Sequence, residues 1–280
     1  MRYADLHVHT YYSDSTFSPE EVLSAAEEKA LSAIAICDHD TTEGVAPCMK
    51  IGDEKGIEVI SGVELTVEKP DAEIHILGYL IDWKLGWLQK KLKSIQDGRI
   101  DRVYKMLEKL KSENINIEPA DVFGIAGKGS VGRLHLARAI LKSGAAKSFR
   151  EIFEKYIGFG RSCYVPNIKF EPKEAIEMVI EAGGVPVIAH PGIMQKDEYI
   201  RELAGYGLKG IEVYHTDHNN STTRHYEELA KSLGLLIAGG SDCHGAGKGK
   251  ALIGTVRVPY DLVEKLKEAA DNSKSGAHPG

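Results

Sequence analysis

The chain has 280 residues, of which 42% are hydrophobic and 27% charged, enough to bury a sizeable core in an ordinary globular protein that folds unaided. Its net charge of −6 is uneven: residues 84–168 carry 17 Lys and Arg against 8 Asp and Glu, and the remainder carries 18 against 33. A basic segment beside an acidic one suits an anionic substrate held between them, and equally a solvated helix surface.

Leu6 to Val8 reads as a strand, 19–30 as a helix with Ser18 as N-cap and Pro19 in its first position, and 33–37 as a second strand. A helix over 45–55 and strands over 57–63 and 73–81 continue the alternation. After Trp83 the period changes. Leu88, Leu92, Ile95, Val103, Leu107 and Leu110 recur mostly at three- and four-residue steps and predict a helix over 85–111. Helices are also expected over 133–142 and 149–156. From Glu171 the alternation returns, with a helix over 172–182, strands in GVPVIAH and GIEVYH, a helix over 223–233, a strand in GLLIAGGSD and a closing helix over 259–270. The tail from Ser273 to Gly280 reads as disordered. The simplest account is an α/β fold, a β/α barrel in two parts (1–83 and 169–280), interrupted by a mostly helical insertion over 84–168.

Cys37, Cys48, Cys163 and Cys243 are scattered without a Cys-x-x-Cys pair, which argues for buried thiols over a disulfide framework or zinc knuckle. MRYADLHVHT lacks the apolar stretch of a signal peptide, and no apolar run approaches the ~20 residues that span a bilayer. A cytoplasmic location is expected, with no membrane contact and no obligate protein partner.

DLHVHT places His7 and His9 on one face of a strand. Alone, such a pair is common by chance. In β/α barrels, however, functional residues sit at the C-terminal ends of strands and in the loops that follow. Here Asp14 follows the first strand, Asp38 and His39 end the second, and Glu64 ends the third; His75, His190, Asp242 and His244 belong to later ones. Six histidines and the carboxylates Asp14, Glu64 and Asp242, gathered on one barrel face, would be costly to bury unpaired. Divalent metal ions remove that cost. Imidazole and carboxylate without thiolate suit zinc, manganese or iron better than magnesium. Nine ligands fit two or three ions sharing a bridging carboxylate, a cluster that polarises phosphate oxygens and generates hydroxide near neutral pH. Asp38 and Asp40 are left outside the ligand set as orienting or loop-capping residues.

DLHVHT with its following SD, CDHD, GVEL, the lone His75, AHP and GSDCH together resemble the motifs of the PHP (polymerase and histidinol phosphatase) family, over the whole chain. The resemblance implies a distorted seven-stranded β/α barrel and phosphoesterase activity. The insertion after HILGYLID, with GRLHLA and KYIGFGRSCYVP, is similar to the branch containing nucleoside 3',5'-bisphosphate phosphatases and a 5'-to-3' exoribonuclease of short RNAs. It implies His7, His9, Glu64 and Asp242 around one ion, Asp14, His39 and His244 around a second, and Glu64, His75 and His190 around a third. It further implies Arg133 and His135 as phosphate-binding residues. Cys37 stands where the branch commonly has Thr and is read as a strand residue facing the core.

The expected reaction is hydrolysis of a nucleotide or short RNA phosphate, releasing phosphate or nucleotides, by attack of a metal-bridging hydroxide. Glu64 and Asp242 hold the reacting centre, the basic insertion forms a lid carrying Arg133, and His135 orients the phosphate or supplies a proton. Histidinol phosphate phosphatase, a binuclear amidohydrolase and a non-catalytic metal-binding module are the alternatives. GKGSVG (127–132) fits a dinucleotide fingerprint but follows no strand, and is better read as a flexible loop before the helix carrying Arg133. GAGKGK (245–250) lacks P-loop spacing and reads as a mobile loop. His215 could approach the site, but His215, His218 and His225 default to the surface.

Overall fold

The computed structural model describes residues 1–166, 170–248 and 250–276. Strand β1 (Tyr3–Val8) leads into helix α1 (Pro19–Glu28), whose Ser18 and Glu21 form a reciprocal capping box with Pro19 in the first turn. Strand β2 (Ala33–Ile36), helix α2 (Val45–Lys55), and a hairpin of β3 (Glu58–Lys69) and β4 (Ala72–Tyr79) follow. Then come α3 (Gly86–Ser112), α4 (Pro119–Ala126), α5 (Arg133–Lys142), α6 (Phe149–Ile152) and a π-helical turn, Phe153–Ile157. The second half runs α7 (Pro172–Glu181), β5 (Val185–Ile188), α8 (Pro191–Met194), α9 (Asp197–Gly205), β6 (Gly210–His215), α10 (Asn220–Leu233), β7 (Leu236–Gly240), β8 (Val258–Pro259) and α11 (Asp261–Gly276).

The strands form one nearly closed barrel sheet in the order β7-β6-β5-β4-β3-β2-β1-β8. The seven expected strands are all present, and the two residues of β8 add a short antiparallel eighth on β1. The distortion lies in β4, which is antiparallel to both β3 and β5 while the other neighbours among β1–β7 run parallel. A reversed strand begins where its neighbours end, so the start of β4, with Glu73 and His75, lies at the barrel end that holds the other strands' C-termini. Strand β3 pairs with β2 only through Ser61, and its continuation to Lys69 carries Glu64 past the end of β2, into a bridge with His39.

Between β7 and β1 the seam is short. A Cβ on Gly240 would lie 2.3 Å from the His7 amide nitrogen, so only glycine lets the two backbones approach. The His9 amide donates to the Cys243 carbonyl at 3.0 Å, and Asp5, fully buried on β1, accepts from the amides of Ser241 and Gly254. Burial raises the Asp5 pKa to about 6.

Helices α3–α6 make the insertion. The first half of α3 packs Leu88, Leu92 and Ile95 into the barrel's own apolar cluster, whereas its second half and α4–α6 share a separate core around Met106, Leu110, Ile140 and Ile152. The change of core therefore falls inside α3, beyond the sequence boundary at residue 84; the boundary at 168 lies outside the described residues. Helix α9 went unread in the sequence. The tail is corrected through Gly276, because α11 continues across Ser273, and residues 277–280 lie outside the description. GKGSVG joins α4 to α5 without a preceding strand, and Ser130 donates to the Tyr12 carbonyl. Gly245–Lys248 forms a 3-10 turn. All four cysteines are buried and free, and no described helix is long and apolar enough to cross a membrane.

Candidate metal centre

Glu64 is the hub. Its Oε2 lies 3.3 Å from His7 Nε2, 3.2 Å from His9 Nε2 and 3.2 Å from His39 Nδ1; its Oε1 lies 2.7 Å from His75 Nδ1 and 3.1 Å from His190 Nε2. Thr66 sits opposite His75 in the hairpin register, and Glu64, two residues earlier on the same face, meets that ring diagonally. Asp242 Oδ1 is 3.0 Å from His9 Nε2, and Asp14 Oδ1 is 3.1 Å from His244 Nε2.

Three groups of donor atoms each fall within 4.8 Å of one another: His7, His9, Glu64 and Asp242; His9, Asp14, His39 and His244; and His39, Glu64 and His75. The first is the expected set for one ion. The second adds His9 to its expected three, and the third brings His39 in where His190 was expected, with His190 still in contact with Glu64 from the other side. Ions with bonds of about 2.0 to 2.2 Å would hold each group once the widest separations close by small side-chain shifts.

The fit is also chemical. Glu64 Oε2, Asp14 Oδ1 and His39 Nδ1 are buried and close to oppositely polar atoms, yet none has a hydrogen-bond partner of acceptable direction. Their lone pairs converge on shared space, an arrangement a divalent cation satisfies and a hydrogen-bond network does not. Burial opposes charge on Glu64, but the imidazoles of His39, His75 and His7 hold its carboxyl well below the usual range. Burial works to lower the His7 pKa, and the carboxylates of Glu212, Glu64 and Asp242 carry it well above the ordinary value instead. For His39, burial prevails and lowers it.

Ring orientation is set from behind. His7 Nδ1 lies 2.9 Å from Glu212 Oε1, which holds a proton there, so that Nε2 would be the nitrogen given to a metal once a cation replaces its proton; His244 Nδ1 donates to the Asp242 carbonyl at 2.8 Å, which leaves Nε2 in the same position. Glu212 Oε2 accepts the His190 amide at 2.8 Å. The sequence reading missed Glu212, although an acid inside the otherwise apolar strand GIEVYH was its signal. Asp38 accepts from the Thr10 amide and from the hydroxyls of Thr10 and Ser13, fixing the loop after β1. Asp40 pairs with Arg99 of α3 at 2.5 Å. Asp40, His190 and Asp242 all hold positive φ (51°, 29° and 50°), a local strain of the kind that collects at functional sites.

Two histidine readings are corrected. His215 is buried rather than on the surface, with Nε2 3.8 Å from Asp242 Oδ2, because it closes β6 beside the cluster. His218 is half-buried, bonded to the Val213 carbonyl and the Gly192 amide; His225 does pair with Asp197 at the surface. His135 is placed differently from the role expected of it. It is 1% exposed, its Nδ1 accepts the Gly132 amide as a cap on α5, and its ring reaches the Ser13 carbonyl. Burial lowers its pKa to about 4, leaving a neutral ring that braces the Asp14 loop and lines neither cavity at the cluster.

Arg133 lines both of those cavities, which have volumes of about 430 and 410 Å³. Its guanidinium donates to Glu73 and lies 5.7 Å from the ring centres of Phe153 and Tyr164. Glu73 is half-buried, and although desolvation opposes it, Arg133 and His75 keep its carboxyl well below the usual range. Arg99, Arg102 and Arg150 line the second cavity with Arg133.

Comparison with known proteins agrees with this geometry. The PHP domain pattern matches residues 5–162, more than half of the chain. A 3',5'-nucleoside bisphosphate phosphatase of Chromobacterium violaceum is 33% identical over 264 residues, 91% of each chain. The 5'-3' exoribonuclease Rnm of Escherichia coli is 30% identical over 247 residues, 86% of this chain and 84% of its own. A solved structure from Bifidobacterium adolescentis, described as a candidate metal-dependent phosphoesterase, superposes with a TM-score of 0.85 at 29% identity, covering 94% of both chains. The chain therefore belongs to the PHP family and is a metal-dependent phosphoester hydrolase.

Proposed function

We propose that the enzyme releases the 3' phosphate of nucleoside 3',5'-bisphosphates and removes nucleotides 5'-to-3' from short 5'-phosphorylated RNA, with two or three manganese, zinc or iron ions. The observation that carries this reading is the arginine-lined cavity opening onto the ligand cluster, which gives one substrate two separate anion sites. A bisphosphorylated nucleoside fills both, and so does the first nucleotide of a 5'-phosphorylated RNA. The relatives named for those two activities support the same choice.

Divalent ions held by the nine ligands would act as Lewis acids on phosphate oxygens and lower the pKa of water. Glu64 spans the donor groups and fixes their spacing. Glu212 keeps the His7 proton on Nδ1, so Nε2 stays a ligand atom. Arg99 and Arg102 have donors committed to Asp40 and Val165, Arg150 pairs with Glu154 at the surface, and Arg133 donates to Glu73 with further N–H donors of its five toward the cavities. Arg133, which lines both cavities, is the arginine placed to grip phosphate, held by Glu73 and the two rings. The described residues lining the two cavities include no lysine that could be carboxylated as an amidohydrolase bridge, and Glu64 occupies that position.

The test is a hydrolysis panel with added manganese comparing a 3',5'-bisphosphate, 5'-phosphorylated and 5'-hydroxyl short RNAs, histidinol phosphate and a simple amide. The bisphosphate and the 5'-phosphorylated RNA should lead. Equal cleavage of the two RNAs, or a lead for histidinol phosphate, sinks the reading.

A further inference from the structure

The structure assigns a nucleobase subsite to the first cavity: Phe159 and Ile193 hold the base of the nucleotide whose phosphate lies at the metal ligands. This rests on the nucleotide reading above and adds residues to it. Six large hydrophobic side chains are conspicuously exposed among the described residues, and two of them, Phe159 (38%) and Ile193 (56%), line this single cavity, from the insertion and from α8 respectively. Phe153 and Met194 join them, while His75, His190 and Asp242 of the cluster line the same space. A cavity that combines metal ligands with solvent-exposed apolar side chains fits a phosphate carried on a flat, apolar-faced body.

Local structure maintains this surface. The π-helical turn ends at Gly158, where a Cβ would lie 2.2 Å from the Phe153 carbonyl oxygen, so glycine permits the tight turn that presents Phe159. Phe159 packs edge-on against Tyr164, with ring centres 5.2 Å apart, which fixes the ring while leaving it exposed.

The two acidic side chains in the lining that lie outside the candidate ligand set already have partners. Asp71 accepts from Lys196 Nζ at 2.8 Å and from the Tyr199 hydroxyl, and Glu73 accepts from Arg133. Both are thus held by donors already, and what the lining chiefly offers a base is apolar surface. Recognition therefore runs through stacking and apolar contact, which every base supports.

The experiment compares wild type, Phe159→Ala, Phe159→Tyr and Ile193→Ala on adenosine 3',5'-bisphosphate and on base-free ribose 3,5-bisphosphate, with KM and kcat separated. Binding of AMP and of ribose 5-phosphate is measured by calorimetry on the same proteins. Phe159→Ala should reduce the preference for nucleotide over sugar phosphate by on the order of 5- to 20-fold, mainly through KM, as expected for loss of one stacking partner. Ile193→Ala should act in the same direction, and Phe159→Tyr should restore the preference. Equal losses on nucleotide and base-free ligands, or no preference in the wild type, overturn the subsite. If wild type binds AMP over ribose 5-phosphate but does not turn over bisphosphates, the substrate proposal fails and the calorimetric arm alone decides the subsite.

Discussion

Glu212→Gln offers the sharpest test of how the cluster is held. The carboxylate accepts two hydrogen bonds at once, from His7 Nδ1 at 2.9 Å and from the His190 amide at 2.8 Å, and it is fully buried. An amide has one oxygen, so one of these donors must face an NH2 group. If the NH2 faces His7, the ring shifts its proton to Nε2 and the ligand lone pair is lost. If it faces His190, a buried N–H goes unsatisfied at a residue with φ of 29°, at a cost of about 1 to 3 kcal/mol. The first outcome lowers metal affinity by roughly 10- to 100-fold, as loss of a carboxylate behind a ligating histidine does. The second lowers Tm by about 2 to 5 °C, taking an unfolding entropy of roughly 0.6 kcal/mol/K for a chain of this size. The assay is metal competition against a chelating dye together with a melting curve of the metal-free protein. A Gln variant with wild-type affinity and wild-type Tm would falsify the claim that Glu212 fixes the His7 tautomer.

Glu64→Gln should leave a folded protein that binds fewer ions and has lost turnover, because one oxygen pair serves five imidazoles; elemental analysis showing the wild-type complement with full activity contradicts this. Arg133→Ala should lower kcat/KM by on the order of 10- to 100-fold, the equivalent of about 1.5 to 3 kcal/mol for a charge-assisted bond to phosphate, and unchanged kinetics remove it from the phosphate site. Arg138→Met should weaken metal binding while leaving the far-UV spectrum intact, since its guanidinium donates to the Asp14 carbonyl at 2.6 Å; undiminished affinity shows that the Asp14 loop holds itself.

The gathering of the candidate ligands was legible because β/α geometry delivers strand-end residues to one place, and histidines and carboxylates stood at those ends. Even the reversed β4 did not hide His75, since reversal brings the start of that strand to the same barrel end. The residues behind the ligands were not legible. Asp5 and Glu212 are single acids inside apolar strands, and their partners, the amides of Gly254 and His190, come from segments distant in sequence. His135 misled for a related reason: GRLHLA places Arg133 and His135 side by side in sequence, but a 100° step per residue on a helix sends side chains two apart to nearly opposite faces. Arg133 faces the cavities and His135 turns back to cap its own helix.

That division of faces changes how the insertion works. A free lid would touch the barrel through exposed, exchangeable contacts, yet here buried side chains of the insertion are tied to the loops that carry ligands. Arg99 joins α3 to Asp40, next to His39, and also to Thr66, two residues beyond Glu64. His135 and Arg138 join α5 to the carbonyls of Ser13 and Asp14. Swinging the whole insertion away would separate Arg99 from the buried Asp40 carboxylate and release the Asp14 loop as well. The segment outside these ties runs from the π-helical turn to Phe159, where Phe153 faces Arg133 and Phe159 packs on Tyr164. Within one stretch of helices, then, α3 and α5 are tied to the loops that carry candidate ligands, whereas the turn after α6 lines the first cavity.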